Sequence, residues 1–525
     1  MLKKILTTSA IVALSTSAAH ADYTLHVLHI NDQHSRIEPI TKYDNTCSDE
    51  DNTEGKCFGG SARIATKINQ LRDELAGENV IVLDAGDQYQ GSLMYTTYKG
   101  DVEIEMMNRI GFDAMAVGNH EFDDGDAGLE KLATHAEFPV VSGNIDVSAS
   151  NMLAGKIKDH VVLEIGGEKI GIISALSTDT VETSSPSEAV IFSDEIESLQ
   201  EDADALTAEG VTKIIALNHV GVTKDLKIAE QVSGLDAVVG GHSHTKFSNE
   251  KDANGYAYEG VYAYPTMVGN VPVVQAYAYS KYVGHLVLTF DDNGTLLSAT
   301  GDTILLDDSV AEDAAIKTRV AELAGPIQEL KNKVVADVSG DIDNSVCRAE
   351  ECQMGTLVAD AMLDRVKDQG IEIALQNGGG VRATIGAGQV TMGAVLTVLP
   401  FQNTLSTFQV TGATMVEALE NGVSQIEEGA GRFPQVAGMA FTVDPAAEAG
   451  ARISDVMVGG APIEMDKLYG VVSNNYVRNG GDGYKMFGDA VNVYDFGPDL
   501  ADVLADYLIE HAPYQPYTDG RITVK

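Results

Sequence analysis

Short apolar runs rich in β-branched residues alternate with amphipathic stretches between residue 22 and about residue 305. Four apolar residues between the first two runs recur at helical spacing: Ile64, Ile68, Leu71 and Leu75. The apolar runs predict buried strands at 24–30, 80–83, 114–117, 140–141, 170–173, 214–217 and 237–239. Strands separated by helices are typical of a layered α/β domain.

The pattern changes after residue 260. Residues 261–290 predict consecutive strands joined by glycine turns. Residues 309–335 are rich in Ala, Glu, Lys and Leu and predict a helix interrupted at Gly325-Pro326. We interpret 22–308 as a first domain, 309–341 as a helical linker, and 342–525 as a second, smaller domain with strands at 371–375, 405–410 and 469–473.

The length of 525 residues and a hydrophobic content of 44% allow more than one domain with a sizeable core. Asp and Glu total 78 against 35 Lys and Arg, which gives a formal net charge of -43. This charge repels anionic polymers and anionic lipid, so we expect no nucleic acid polymer as a partner. An anionic small-molecule substrate therefore requires a locally cationic pocket.

The N-terminus has the pattern of a cleaved signal peptide over residues 1–21. Lys3 and Lys4 precede an apolar run at 5–14, which is too short to span a bilayer. Ala19-His20-Ala21 forms a small-x-small cleavage site, so the mature chain is expected to start at Asp22. We expect a periplasmic or secreted protein without a membrane anchor.

The chain contains four cysteines, a number that predicts two disulfides in an exported protein. Three connectivities are open to four cysteines. The simplest pairing is local, Cys47 with Cys57 and Cys347 with Cys352, because the two couples lie far apart in the sequence.

Polar residues cluster where the predicted strands end, and five histidines are among them. The segments are Asp32-Gln33-His34, Asp84-Ala85-Gly86-Asp87, Gly118-Asn119-His120-Glu121-Phe122-Asp123, Asn218-His219 and Gly240-Gly241-His242-Ser243-His244. Open α/β sheets bind ligands at this edge. Imidazole, carboxylate and amide donors without thiolate suit Zn, Mn, Co or Fe, and the set is large enough for two cations sharing one carboxylate.

These segments resemble the motif series of calcineurin-like metallophosphoesterases. The strings Leu83-Asp84-Ala85-Gly86-Asp87-Gln88-Tyr89-Gln90-Gly91 and Gly118-Asn119-His120-Glu121-Phe122-Asp123 narrow the resemblance to the 5′-nucleotidase family. The resemblance implies an α/β fold: a four-layer α/β-β/α metallophosphoesterase domain joined by a helical linker to a smaller α/β substrate-binding domain.

The resemblance also implies the roles of the residues at the strand ends. One divalent ion is assigned to Asp32, His34, Asp87 and His244, and the other to Asp87, Asn119, His219 and His242. Asp87 bridges the two ions, and position 244 departs from the Gln or Asn that is common in relatives. His120 stabilises the transition state and is oriented by Asp123.

In the second domain the resemblance implies a nucleotide-binding site. Arg348, between two cysteines, and Arg382, after a run of three glycines, are assigned to the phosphate, and Asn377 to the substrate. Phe401 and Tyr476 surround the base, and Asp482 binds the ribose hydroxyls. The expected activity is hydrolysis of nucleoside 5′-phosphates, with nucleotide sugars or di- and triphosphates as further substrates.

Three other functions stay open from the sequence. A 2′,3′-cyclic-nucleotide phosphodiesterase/3′-nucleotidase shares the metal core, and thiosulfate-processing hydrolases are more remote because they have no use for Phe401 and Tyr476. The third is a catalytically silent nucleoside-binding protein, which predicts a damaged set of metal ligands. The sequence does not specify the metal, the preferred nucleotide or the oligomeric state.

Overall fold

A computed structural model describes residues 22–42, 44, 46–251, 260–401, 403–494 and 497–525. The predicted signal peptide lies outside these residues. Two six-stranded sheets form the N-terminal domain. In spatial order, the first contains Leu296–Leu305, Tyr282–Phe290, Tyr23–Ile30, Asn79–Asp84, Ala114–Ala116 and Val140–Val141. The second contains Thr266–Val268, Val271–Val274, Ala237–Val239, Lys213–Leu217, Glu168–Ile173 and His160–Ile165.

The two sheets pack face to face, with helices on both outer sides. Leu25 and Val27 of the first strand join a core that also contains Ile172 and Ile215 of the second sheet. Their neighbour Leu28 faces the other way, toward the helices of the first sheet. This alternation follows from the period of two in a strand and produces the four layers that the family resemblance implies. The helices of this domain are Asp49–Thr53, Ser61–Glu74, Leu93–Tyr98, Asp101–Ile110, Asp126–His135, Thr180–Thr183, Glu195–Ala208 and Val222–Gln231.

The C-terminal domain is built around a five-stranded sheet with a four-stranded sheet beside it. The first has the order Pro434–Ala437, Ile373–Asn377, Leu468–Asn474, Leu405–Thr411 and Val491–Tyr494, and the second Ala461–Pro462, Ile453–Val458, Met439–Val443 and Ile522–Val524. The helices are Gln353–Val366, Met392–Val398, Gly412–Gly422, Asn475–Arg478 and Leu500–Glu510. Two further pairs of strands lie elsewhere: Ile145–Asp146 with Ile191–Phe192 in the N-terminal domain, and Val334–Val338 of the linker with Gly388–Thr391.

The linker is helical over a shorter stretch than the 309–335 expected from composition. Ala314–Ala324 is followed by a 3₁₀ turn at Gly325–Ile327 and by the helix Gln328–Asn332. The Asp313 carboxylate caps the first helix by accepting bonds from the Ala315 and Ile316 amides. Val334–Val338 is a strand that pairs with Gly388–Thr391, and it buries Ala336 and Val338 while Asp337 between them is exposed. The boundaries of the domains stay a prediction.

Both predicted disulfides are confirmed, Cys47–Cys57 and Cys347–Cys352. Within the described residues, none of the helices combines the length and the apolar character that a bilayer crossing requires.

Candidate active site

The carboxyl ends of the parallel strands bring the predicted metal ligands together. One group consists of Asp32, His34 and His244, and another of Asp87, His219 and His242, with the donor atoms of each group within 4.8 Å of one another. The Nε2 atoms of His34 and His244 lie 2.9 Å apart, and the His244 Nε2 atom is 3.3 Å from the Asp32 carboxylate. Such a convergence of lone-pair donors in a buried place fits a divalent cation.

Asp87, a member of the second group, also faces the first group. Its Oδ2 atom is 3.1 Å from His219 Nε2 and 3.7 Å from His34 Nε2, while its Oδ1 atom accepts a hydrogen bond of 2.9 Å from the His120 amide. Burial acts to raise the pKa of Asp87, but the His219 and His120 imidazoles outweigh it and hold that pKa well below its usual range. The carboxylate is thus ionised and has one oxygen directed at both groups, as a bridging ligand requires.

Protein contacts orient the His219 ring and place the Asn119 amide beside His242. His219 Nδ1 bonds to the Ala85 carbonyl at 2.6 Å, which directs Nε2 toward Asp87. His242 Nδ1 lies 2.9 Å from the Asn119 side-chain oxygen, so these two predicted ligands of the second ion are adjacent.

Much of this edge is built from left-handed backbone. The predicted ligands with positive φ are Asp32 (50°), His34 (49°), Asp87 (58°), His242 (75°) and His244 (51°). Residues other than glycine adopt this region at an energetic cost, which folded proteins concentrate at functional sites. Gly118 is required where two of these turns meet, because a Cβ atom there would lie 2.3 Å from the Asp87 amide nitrogen.

The buried Glu121 carboxylate holds two of these turns in place. One oxygen accepts bonds from the Asp87 and Gly118 amides, and the other from the Gln88 and Tyr89 amides, at 2.8–3.1 Å. Burial and the nearby Asp87 carboxylate raise the pKa of Glu121. The hydrogen bonds from the backbone amides act in the opposite direction but do not outweigh this rise. Glu121 thereby sets the backbone that carries Asp87 and Asn119.

His120 and Asp123 form a pair beside the metal groups. The His120 Nδ1 atom is 2.7 Å from the Asp123 carboxylate. Burial acts to lower the pKa of His120, but the Asp123 and Asp87 carboxylates outweigh it and hold that pKa above its ordinary value. The Phe401 ring of the second domain stacks on the His120 ring, with centroids 5.8 Å apart.

In the second domain, Asp482 is held by the other predicted substrate residues. Asn377 donates a bond of 2.7 Å to one carboxylate oxygen and the Tyr476 hydroxyl donates a bond of 3.0 Å to the other. Burial raises the pKa of Asp482, while the bonds from Asn377 and Tyr476 oppose that rise. Burial and the neighbouring Arg382 guanidinium lower the pKa of Arg348, so an anion between the two arginines would relieve their repulsion.

Twelve of the fifteen predicted site residues line one cavity of about 270 Å³ between the domains. Its wall includes Asp87, Asn119, His120, Asp123, His242, His244, Arg348, Asn377, Arg382, Phe401, Tyr476 and Asp482. Asp32, His34 and His219 are buried beneath it, at most 1% exposed. Metal-ligand chemistry and a pocket with aromatic and cationic groups therefore share one space.

Known protein families match both the domain that carries the metal-ligand groups and the domain that carries the predicted substrate residues. Residues 25–246 match the family model described as calcineurin-like phosphoesterase, and residues 332–489 match the 5′-nucleotidase C-terminal domain. Over 529 residues the chain is 36% identical to snake venom 5′-nucleotidase of Naja atra, which covers 95% of this chain and 98% of that protein. The chain belongs to the 5′-nucleotidase family.

Other known proteins are similar to this chain over comparable lengths. The human 5′-nucleotidase is 36% identical over 526 residues, covering 95% of this chain and 91% of that protein. The structure of a 5′-nucleotidase precursor from Thermus thermophilus has a TM-score of 0.89 and 38% identity, over 96% of this chain and 99% of that chain. A NAD nucleotidase from Haemophilus influenzae has a TM-score of 0.59 and 28% identity, covering 96% and 100%.

Membership in the 5′-nucleotidase family confirms the resemblance and the two-domain α/β architecture, and identifies a metal-dependent phosphoric monoester hydrolase. The family uses divalent metal ions, and the side-chain groups described above can hold them. The sequence prediction gave no role to Gln90, Glu121, Asp179 and Ser184. Of these, Asp179 has a carboxylate oxygen 3.8 Å from His242 Nε2. Gln90 and Glu121 lie within the motif strings, whereas Asp179 and Ser184 lie in a loop without a recognisable pattern.

Proposed function

We propose that this protein is an exported 5′-nucleotidase that hydrolyses nucleoside 5′-monophosphates to nucleoside and phosphate. The observation that carries the proposal is the shared cavity, in which the metal-ligand groups and the Phe401–Tyr476–Asp482 pocket are walls of one space. Export rests on the sequence pattern of residues 1–21.

Two divalent ions fit the donor set, with Zn, Mn and Co as candidates. Asp32, His34, Asp87 and His244 would hold one ion, and Asp87, Asn119, His219 and His242 the other. Bound there, the ions would supply Lewis acidity and lower the pKa of an attacking water.

The protein side chains bind and orient the substrate around that centre. Arg348 and Arg382 would neutralise the phosphate, and Asp482 would accept bonds from the ribose hydroxyls. Because His120 Nδ1 is bonded to Asp123, its Nε2 atom is available to donate a hydrogen bond to a phosphoryl oxygen. This donation strengthens as negative charge develops in the transition state.

Base recognition is expected to be broad. Phe401 and Tyr476 offer ring faces, and stacking on an aromatic side chain tolerates every base. The similarity to the NAD nucleotidase of Haemophilus influenzae favours a test of dinucleotides as additional substrates.

Phosphate release from 5′-AMP, 3′-AMP and 2′,3′-cyclic AMP, before and after chelation and metal add-back, tests the proposal. We expect 5′-AMP to be the preferred substrate, with activity lost on chelation and restored by a divalent ion. Preference for 3′-AMP and the cyclic nucleotide would instead support the 2′,3′-cyclic-nucleotide phosphodiesterase/3′-nucleotidase. Nucleoside binding without turnover of any of the three would support the silent binding protein.

A further inference from the structure

We infer that Ser184 is a positioning residue that orients the Asp123 carboxylate and, through it, His120. This inference rests on the proposed role of the His120–Asp123 pair in phosphate ester hydrolysis. The two Asp123 oxygens have different partners: Oδ1 accepts a bond of 2.7 Å from the Ser184 hydroxyl. Oδ2 is 2.7 Å from His120 Nδ1 and accepts a bond of 3.0 Å from the Gln90 amide group.

This division of partners fixes the rotation of the carboxylate. With Oδ1 bonded to Ser184, the plane of the group is set, and Oδ2 is left to meet the His120 ring. Loss of the Ser184 hydroxyl removes the partner of Oδ1, so the carboxylate can turn and the imidazole loses its fixed orientation. Loss of a partner that acts through another side chain typically lowers activity by about 10–100-fold.

Ser184 belongs to a segment of the first domain that also contacts the second domain. It directly follows the helix Thr180–Thr183, which packs against the turn Gly481–Gly483 of the C-terminal domain. On the other side of that helix, Asp179 has a carboxylate oxygen 3.8 Å from His242 Nε2. The segment that supports the His120–Asp123 pair thus touches the turn that carries the ribose-binding Asp482.

A double-mutant cycle separates positioning from a general structural effect. Phosphate release from 5′-AMP and from an aryl phosphate is measured for the wild type, Ser184→Ala, Asp123→Ala and the double variant. We expect Ser184→Ala to lower kcat about tenfold for both substrates, with KM for 5′-AMP and metal content per chain nearly unchanged. In the Asp123→Ala background, removal of the Ser184 hydroxyl should cause no further loss, because the bonded partner is already gone.

Two further variants complete the test. Ser184→Thr retains the hydroxyl and is expected to restore most of the activity. Ser187→Ala is a matched control in the same loop, since the Ser187 hydroxyl donates a bond of 2.8 Å to a different carboxylate, that of Asp126. We expect that variant to keep the wild-type kcat.

The inference is overturned if Ser184→Ala leaves kcat unchanged, or if its loss is as large in the Asp123→Ala background as in the wild type. Failure of the proposed function gives a different pattern: the wild type would cleave the aryl phosphate but not 5′-AMP. The cycle on the aryl phosphate would then still decide the role of Ser184.

Discussion

The guanidinium of Arg382 lies 3.2 Å from the Nε2 atom of His34, although the two residues belong to different domains. Burial and the Arg382 charge lower the pKa of His34 well below its ordinary value, so the ring is neutral and suited to ligation. Arg382 also lies 5.6 Å from the centroid of the Phe401 ring. One side chain therefore connects the proposed metal centre to the proposed base-binding aromatic residue.

The bridging role of Asp87 predicts a loss of metal. Asp87→Asn removes a negative charge shared by both proposed ions, and their mutual repulsion should then expel one of them. We expect elemental analysis to find less metal per chain, together with a loss of phosphate release from 5′-AMP. Asp124→Asn is the control, because Asp124 bonds to Tyr95 and Lys99 away from the ligand groups. Full occupancy in Asp87→Asn would contradict the bridge.

The role of His120 predicts a change in chemistry without a change in metal content. His120→Asn should lower kcat by about 10²–10³, the size of effect seen when one preorganised transition-state donor is lost. Binding of 5′-AMP should change much less. His135→Asn is the control, because His135 is the exposed last residue of the helix Asp126–His135 and its ring bonds to the Lys131 carbonyl. An unaltered kcat in His120→Asn would remove this residue from the mechanism.

The bond between Tyr476 and Asp482 predicts a ribose-dependent effect. Tyr476→Phe keeps the stacking face but removes the hydroxyl that donates to Asp482. A hydrogen bond to a charged group contributes roughly 1.5–3 kcal/mol, so kcat/KM for 5′-AMP should fall by about tenfold or more. The fall should be much smaller with 2′,3′-dideoxy-AMP, which lacks the hydroxyls that Asp482 would bind.

Tyr469→Phe provides the matched control for that experiment. The Tyr469 hydroxyl accepts a bond from the Glu464 amide, away from the cavity. Equal losses with both nucleotides in Tyr476→Phe would show that Asp482 does not recognise the ribose.

The Cys347–Cys352 disulfide predicts an effect on phosphate binding beyond its effect on stability. Replacing either cystine by two serines should lower the free energy of unfolding by roughly 2–3 kcal/mol, as expected for a short closed loop. Because Arg348 lies inside the Cys347–Cys352 loop, we expect only that double variant to raise KM for 5′-AMP as well. The Cys47 and Cys57 double variant is the control for stability. A similar KM in both double variants would show that Arg348 does not bind the phosphate.

The strands, and the metal-ligand residues that follow them at the edge of the sheet, could be predicted from the sequence because both are local patterns. Apolar runs identified the strand Tyr23–Ile30, and polar residues at its end identified Asp32 and His34. The supporting contacts could not be predicted, since they join segments that are distant in the sequence. Ser184 follows a four-residue helix and its partner Asp123 is 61 positions away, a pairing that no periodicity reveals. The predicted linker 309–341 contains the strand Val334–Val338, and the predicted helix 309–335 overlaps its first two residues. The strand could not be predicted because its partner at Gly388–Thr391 is equally remote.

The hydrogen bonds of the Glu121 carboxylate bear on whether the metal-free protein stays folded. This carboxylate fixes the Asp87 and Asn119 turns through four backbone amides, so their shape is set by the polypeptide and does not depend on a bound cation. In many small metal-binding domains, metal binding supplies the free energy that stabilises the fold, so chelators unfold these domains. Here a chelated chain should keep its native circular dichroism and thermal transition near the holoprotein's, and recover activity within the mixing time of added metal. A protein exported as proposed can therefore reach its compartment without metal and be activated wherever the surrounding medium supplies the ions.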